Sequence, residues 1–373
     1  MSDAIRALLV DDNRDDLVFA ERLSRGGLEC SSIRATSSAD RLRELLDERI
    51  AHDKPSIVFL DYRLDDSPID EDGTRADYRG GTIAAELKER HPEVAVVLLT
   101  TEEKLHAWLD GSPRVKDLFD ATVLKSALTS PSREGVAAEM EDLGRGYKAL
   151  ATAFRKKSPA DPWDRLRLLM RATPSEGPSI RALGTGEAPD NLGDAASWLL
   201  RQALRWPGPL IDQYEAAAKL GIEKSSFDAV REHTLLTATQ YEGAFGIYLP
   251  RWWRGRLEKQ LRSIAGKDAA GAASRRAAAL AERTGAPMTA AHCAWCEGEF
   301  ADRSCSLCRQ AVDQSHCLPA TLDERPAWAD RAVVCFRCIV RGDAEHVAFS
   351  SGSTSMVAQL RAGAVRVVRI DEP

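Results

Sequence analysis

The chain has 373 residues, a net charge of −6 and a hydrophobic fraction of 44%. This length exceeds one ordinary hydrophobic core and predicts two or three domains. Apolar runs such as residues 94–99 are far shorter than the roughly 20 residues that cross a bilayer. The first residues also lack the apolar core of a signal peptide. We therefore expect a cytoplasmic protein that does not enter a membrane.

Charge is distributed unevenly along the chain. Residues 1–144 hold 19 Lys and Arg against 31 Asp and Glu, residues 145–285 hold 23 against 15, and the remainder holds 9 against 11. An acidic segment is therefore followed by a basic one. The basic segment is a candidate for contact with an anionic partner, and a solvated basic face is the alternative.

The first 130 residues alternate strand and helix patterns, which is typical of a doubly wound α/β sheet. Strand-like runs end at Val10, Leu60, Leu99 and Leu124, and helical stripes lie between them, including a short helix at residues 104–109. Five such strand and helix units predict a five-stranded parallel sheet.

A polar group directly follows four of these runs. Asp11 and Asp12 follow the first, and Asp61, Thr100 and Lys125 follow the next three. Because the C-terminal ends of parallel strands meet at one crevice, we expect these side chains to converge. Three carboxylates with an ammonium and a hydroxyl predict a divalent-cation site with an aspartate beside it.

These motifs, in this order, resemble the receiver domain of two-component response regulators over residues 1–130. In that family a histidine kinase transfers a phosphoryl group to an aspartate, and the resemblance gives this role to Asp61. It also implies that Lys125 pairs with a phosphate oxygen and that Thr100 binds another. The implied Mg²⁺ ligands are Asp61, Asp12, the backbone carbonyl of Arg63, and Asp11 directly or through water.

The sequence departs from the family pattern at three places. A glycine usually found shortly after the phosphorylated aspartate has its nearest match at Gly80, so the intervening loop is longer and strongly acidic. Ser126 follows Lys125 where proline is usual, and Thr122 occupies the position of an aromatic switch residue. We expect phosphorylation to be possible without these features but its signal to leave by an atypical route.

The middle of the chain is expected to be mostly α-helical. The sequence predicts a connector helix at residues 131–157 and a loop or linker rich in proline and glycine at residues 158–191. It predicts a basic helical domain at residues 192–266. Within it, Gln213 to Val230 fit a helix-turn-helix template, because Ala217 is small and Gly221 permits the turn.

The candidate nucleic-acid or partner contacts lie in this middle domain. Paired tryptophan with flanking arginine can stack on bases and bind phosphates. The alternative is an amphipathic segment with its tryptophans in the core and its arginines outside. The candidate residues are Arg231, Arg251, Trp252, Arg254 and Arg256.

Seven of the eight cysteines lie in a C-terminal module, residues 287–373, which follows a predicted helix at residues 267–286. Three Cys-x-x-Cys pairs within so short a segment predict one or two structural zinc ions, since two such pairs complete a tetrahedral shell. A small module of this kind gains its stability from the metal. The predicted ligands are Cys293, Cys296, Cys305, Cys308, His316, Cys317, Cys335 and Cys338.

The pairing of these ligands remains open at this point. Cys305/Cys308 with Cys335/Cys338 resembles a treble-clef finger, and Cys293/Cys296 would then join Cys317 and a histidine. Alternatively, the outermost pairs close one site and the inner group closes the other. HNH nucleases use the treble-clef scaffold too, with a histidine such as His316 as general base, but no suitable Asn precedes Cys335.

Together these patterns predict a multidomain response regulator rather than an enzyme. It would receive a phosphoryl group from a cognate histidine kinase and act on a protein partner through its middle and zinc-binding modules. The alternative is a DNA-binding transcriptional regulator that uses residues 213–256 and whose dimerisation responds to phosphorylation. An HNH-like nuclease is the least favoured hypothesis.

Overall fold

The computed structural model describes residues 4–13, 18–25, 28–66, 68–69, 73–103, 118–130, 133–156, 159–184, 187–266, 269, 271–300, 302–321, 326, 328–345, 347–349 and 353–362. The chain divides into two compact units. The first comprises Met1–Arg201 and Glu242–Leu249, and the second comprises Gln202–Tyr241 and Pro250–Pro373. The helix expected at residues 104–109 lies outside the described residues.

A five-stranded parallel sheet forms the core of the first unit, as the sequence predicts. The strand order is β2-β1-β3-β4-β5, which places the switch in winding direction between β1 and β3. Strands β3 and β4 are buried along their whole length, as expected for strands covered on both faces. The strands are β1 (Arg6–Asp11), β2 (Glu29–Arg34), β3 (Ile57–Asp61), β4 (Ala95–Thr100) and β5 (Ala121–Leu124).

Helices α1 (Val18–Arg25), α2 (Ala39–Asp53) and α3 (Gly80–Arg90) connect the strands, and the long helix α4 (Arg133–Lys156) follows them. Helix α4 lies close to the sheet at Gly144. A Cβ there would lie 2.6 Å from Cγ2 of Ile5 and 3.2 Å from Cδ1 of Ile57. Glycine at this position therefore sets how closely α4 approaches the sheet.

The segment expected to be a loop or linker, residues 158–191, contains helices instead. These are α5 (Pro162–Leu169) and α6 (Gly177–Ala182), with a 3₁₀ turn at Pro174–Glu176, and α7 (Leu192–Trp198) follows. The Asp161 carboxylate caps α5 by accepting the N–H of Asp164 at 3.0 Å. Pro162 is at the first turn of α5, where the missing N–H costs nothing, so this proline starts a helix rather than interrupting one.

The second unit contains residues 213–230, the segment that fits the helix-turn-helix template. Gly221 lies between α8 and α9 with φ of 72°, the left-handed turn that the template predicts. A two-residue antiparallel pair, β6 and β7, packs with these helices. The elements are β6 (Leu210–Ile211), α8 (Gln213–Leu220), α9 (Lys224–Val230), α10 (Thr234–Thr237), β7 (Trp252–Trp253), α11 (Arg254–Ala265) and α12 (Ala273–Thr284).

The cysteine-rich module is built from short strands and two helices. The pair β8 (Arg303–Ser304) and β9 (Ala311–Val312) is followed by a sheet of order β11-β10-β12, formed by β10 (Cys317–Thr321), β11 (Ala332–Cys335) and β12 (Ala348–Phe349). Helix α13 (Phe336–Arg341) follows β11, and α14 (Thr354–Arg361) comes last. Among the described helices, none has the length and apolar character required to cross a membrane.

Candidate functional site

Three aspartates converge at the C-terminal edge of the parallel sheet. One carboxylate oxygen each from Asp11, Asp12 and Asp61 lies within 4.8 Å of the others. All three residues are buried, with at most 2% of their surface exposed. The strand ends of β1 and β3 place them there, because these neighbouring strands run in the same direction. The convergence predicted from sequence is present.

Lys125 brings a positive charge to this cluster from the end of β5. Its Nζ lies 2.9 Å from Oδ2 of Asp11 and 3.0 Å from Oδ2 of Asp61. One ammonium thus contacts two of the three buried carboxylates. Hard oxygen ligands of this kind are the donor set that Mg²⁺ prefers.

The electrostatic strain shows in the pKa of Asp11. Burial, and then the neighbouring charge of Asp61, raise this pKa from 3.8 to about 7, against the opposing effect of Lys125. The carboxylates are therefore short of positive charge, and a divalent cation would supply it.

Thr100 and Arg63 complete the edge. Thr100, 1% exposed, ends β4, and its carbonyl accepts the backbone N–H of Lys125 at 2.8 Å. The backbone N–H of Arg63 donates to Oδ1 of Asp61 at 3.3 Å. Both predicted residues therefore lie beside the aspartate cluster, Arg63 through Asp61 and Thr100 through Lys125.

Sequence reasoning missed Arg34, at the end of the edge strand β2. Its guanidinium donates to the carbonyl of Asp12 at 3.2 Å and to that of Pro68 at 2.6 Å. Arg34 ends the edge strand β2 on the same side of the sheet as the aspartates, and this position could have predicted that it lies near them.

The long loop between Asp61 and α3 is packed against the domain. Ile69, Ala76 and Tyr78 are buried in its core, and the Tyr78 hydroxyl donates to the carbonyl of Thr36 at 2.7 Å. At the end of the loop, Gly80 lies against the end of β3, because a Cβ there would lie 2.1 Å from the carbonyl oxygen of Asp61.

The acidic side chains nearest the start of the loop are engaged by arginine. Arg63 pairs with Asp65 at 3.1 Å and with Asp66 at 2.6 Å. Residues 67 and 70–72 of the loop lie outside the described part of the chain.

The structure corrects the prediction that Trp252 contacts nucleic acid or a partner. This residue is 1% exposed and packs edge-on against Phe227 at 5.0 Å, so it cannot stack on a nucleic-acid base. Its ring belongs to the core, as the amphipathic alternative expects.

The arginines of that candidate surface differ in their environments. Arg254 forms an ion pair with Asp330, and the Arg256 guanidinium lies 5.2 Å from the ring centre of Trp253. Arg251 is partly buried and donates to the Pro250 carbonyl at 2.9 Å. Arg231 is exposed and pairs with Glu232 at 3.3 Å. They do not form one continuous exposed basic surface.

Four cysteines form one compact cluster in the C-terminal module. The sulfurs of Cys305 and Cys338 are 3.9 Å apart, and those of Cys308 and Cys335 are 3.7 Å apart. Tetrahedral zinc with bonds of about 2.3 Å requires sulfurs about 3.8 Å apart. The cluster therefore has the dimensions of a zinc site, with the pairing of the first alternative above.

A second cluster joins Cys293, Cys296 and His316. Nδ1 of His316 lies 3.8 Å from the Cys293 sulfur and 3.4 Å from the Cys296 sulfur, which again suits zinc. Cys317 belongs to neither cluster. Its sulfur faces the carbonyl of Gln314 at 3.5 Å, and burial raises its pKa to about 11.

Comparison with solved structures found similarity to receiver domains. Neither a protein-family model nor a curated protein matches the sequence. The receiver domain of NtrX from Brucella abortus is 23% identical, with 36% of this chain and 96% of that chain covered and a TM-score of 0.27. A longer NtrX structure from the same organism is 23% identical, covering 48% of this chain and 33% of that one, with a TM-score of 0.29.

A CheY-like receiver domain protein from Methanospirillum hungatei JF-1 is 16% identical, with 39% of this chain and 97% of that chain covered and a TM-score of 0.28. Since every one of these TM-scores is below 0.5, the similarities carry no weight for function. The functional proposal depends on the geometry of the aspartate cluster.

Proposed function

We propose that the chain is a response regulator in which Asp61 accepts a phosphoryl group from a cognate histidine kinase. The observation that carries this proposal is the buried convergence of Asp11, Asp12 and Asp61 around the ammonium of Lys125. Three buried carboxylates and one ammonium meet there at one edge of the sheet, and carboxylate oxygens are the ligands that Mg²⁺ prefers.

Each residue has a definable task in the transfer. Asp11, Asp12 and Asp61, with the carbonyl of Arg63, would hold Mg²⁺, which neutralises charge on the phosphoryl oxygens. Asp61 supplies the attacking carboxylate oxygen. Lys125 already contacts Asp61 and would pair with a phosphoryl oxygen after transfer.

Thr100 would bind another oxygen of the phosphoryl group. It ends the strand between β3 and β5, so its hydroxyl belongs to the same edge as Asp61 and Lys125. A change in its contacts is the first step by which the site reports its state.

Labelling with acetyl phosphate in the presence of Mg²⁺ tests the proposal. We expect the wild-type protein to gain one phosphoryl group by intact mass, and Asp61→Asn to gain none. Asp47→Asn, at an aspartate on α2, is the matched control and should label like wild type. A wild-type protein that stays unlabelled with acetyl phosphate and with histidine kinases would contradict the assignment.

We further propose that the C-terminal module holds two structural zinc ions and that the output is contact with a protein partner. The burial of Trp252 and the ion pair of Arg254 argue against DNA as the target of that segment. His316 lies among thiols as a metal ligand, which argues against its use as a nuclease base. The exposed part of α9 also carries Asp228, paired with Lys224, where DNA readers need positive charge.

Co-purification before and after phosphorylation tests the output. A protein that binds only the phosphorylated form would support a docking role. Salt-dependent binding to a DNA duplex, reduced by replacing Arg231 and Arg256 together, would instead favour the transcriptional alternative.

A further inference from the structure

Residues 242–249, here called the arm, form a short excursion of the chain. The arm belongs to the first unit, whereas the residues before and after it belong to the second. The backbone N–H of Tyr241 donates to the carbonyl of Arg251 at 2.8 Å, which closes the base of the excursion. The arm is thus a loop with a fixed base and a tip bound elsewhere.

The tip of the arm is bound by α4 through Phe245. This side chain is fully buried and packs on Gly146, where a Cβ would lie 2.3 Å from two atoms of the ring. The ring also meets Tyr147 edge-on at 5.8 Å between centroids. Only a glycine at position 146 leaves room for this contact.

Polar contacts fix the same tip. Oδ2 of Asp142 accepts the N–H groups of Ile247 at 2.9 Å and Tyr248 at 3.0 Å, and the N–H of Ala244 donates to the carbonyl of Leu169 at 2.9 Å. Phe245 has φ of 67°, a conformation that is unfavourable in a non-glycine residue and persists only where its surroundings hold it.

Helix α4 connects this binding surface to the sheet. Tyr147, which touches Phe245, also interacts with Asp120, the residue before β5: burial, and then the charge of the Asp120 carboxylate, raise the pKa of the Tyr147 hydroxyl. Oδ1 of Asp120 accepts a hydrogen bond from the ammonium of Lys88 at 2.6 Å, and Oδ2 accepts one from the backbone N–H of Val96 at 2.9 Å. The start of β5, the start of β4 and the arm therefore share one buried set of contacts, and β5 ends at Lys125.

The base of the arm is equally well connected within the second unit. The N–H of Trp253 donates to the carbonyl of Thr239 at 2.8 Å, and Gln240 forms a bridge with Trp252. Trp252 packs against Phe227 of α9. A shift at the base of the arm would therefore move Trp252 and, through it, Phe227 of α9.

We propose that the arm is the element that couples the phosphorylation state of Asp61 to α9. The coupling passes through β5 and α4 to Phe245, and from the base of the arm through Trp252 to Phe227. This inference rests on the proposed function, since it requires Asp61 to be phosphorylated. The departures at Thr122 and Ser126 suggest that the phosphorylation signal leaves the domain by an atypical route, and the arm would provide that route.

Hydrogen exchange of the full-length protein, with and without acetyl phosphate and Mg²⁺, tests the coupling. In the wild-type protein we expect phosphorylation to change exchange rates in peptides of the arm and of α9. Couplings between sites typically change equilibria about 5- to 150-fold, so the expected change in α9 is about fivefold or more. In Gly146→Ala, which displaces Phe245, the change in α9 should vanish while Asp61 still becomes labelled.

Gly135→Ala is the matched control. Gly135 lies on the same helix with no atom within 4 Å of an added Cβ, so this variant should behave like wild type. Labelled Gly146→Ala that keeps the full response in α9 would overturn the coupling, and so would labelled wild-type protein whose arm exchanges at an unchanged rate. Failure to label Asp61 in wild type would instead overturn the proposed function itself.

Discussion

Removing the charge of Asp11 tests the electrostatics of the aspartate cluster most directly. In the metal-free protein, burial and the charge of Asp61 raise the pKa of Asp11 to about 7 from an ordinary 3.8. A folded-state pKa above the unfolded one makes the protein more stable when the group is protonated. The stability contribution is therefore complete below about pH 4 and is lost as pH rises through about 7.

The size of this effect follows from the two pKa values. Each pH unit between them corresponds to about 1.36 kcal/mol, so full ionisation of Asp11 costs about 4 kcal/mol. Asp11→Asn avoids this cost but weakens the hydrogen bond from Lys125, a loss of about 1–3 kcal/mol for a bond to a charged group. At pH 8 without metal, we expect Asp11→Asn to be about 1–3 kcal/mol more stable than wild type.

Urea unfolding at several pH values between 4 and 8, in the presence of EDTA, measures the difference. The advantage of Asp11→Asn should disappear and then reverse as pH falls to 4, because protonation of Asp11 stabilises wild type by about 4 kcal/mol while the loss at the Lys125 bond remains. Mg²⁺ should stabilise wild type far more than the variant. Parallel stability curves for the two proteins from pH 4 to pH 8 would refute this electrostatic reasoning, and the exposed Glu103→Gln serves as a control.

Four further variants test the remaining structure. Elemental analysis should find two zinc ions in wild type and in Cys317→Ser but fewer in Cys308→Ser, because only Cys308 belongs to a cluster; loss of zinc from Cys317→Ser would contradict this. Gly144→Ala should lower the free energy of unfolding in urea by about 1–3 kcal/mol through overpacking, and an unchanged value would show that α4 can move away. Trp252→Ala should cost about 3–5 kcal/mol in the same assay, whereas an exposed tryptophan would cost little.

The aspartate cluster could be predicted from sequence because its determinants are local. Each strand is a short apolar run, and the polar residue that ends the run must lie at the edge of the sheet. Once the strands are parallel and adjacent, Asp11, Asp61 and Lys125 have no other place to converge. The sequence does not specify the strand order, which the structure gives as β2-β1-β3-β4-β5.

The zinc ligands could be predicted only in part. Two Cys-x-x-Cys turns do not specify which other turn completes their site, because that depends on how β8, β10 and β11 fold together. Cys317 was included for its position beside His316. His316 ends a 3₁₀ turn and Cys317 begins β10, so the two side chains leave the backbone from different elements and do not reach the same cluster.

The arm and the burial of Trp252 lay beyond sequence reasoning. Tryptophan flanked by arginine has the same composition in a core as on a surface, and only the contact with Phe227 decides between them. Phe245 binds a helix about a hundred positions earlier in the chain, and no local pattern indicates such a contact.

The close approach of Gly80 to Asp61 has a consequence for how this domain can diversify. Both ends of the loop between them are anchored at one point, since the N–H of Gly80 also donates to the carbonyl of Tyr62 at 2.8 Å. Lengthening a loop between fixed ends costs little free energy, about 0.6 kcal/mol for each doubling. Insertions there leave Asp61 where it is, so the length and composition of this loop can change during evolution without moving the aspartate cluster.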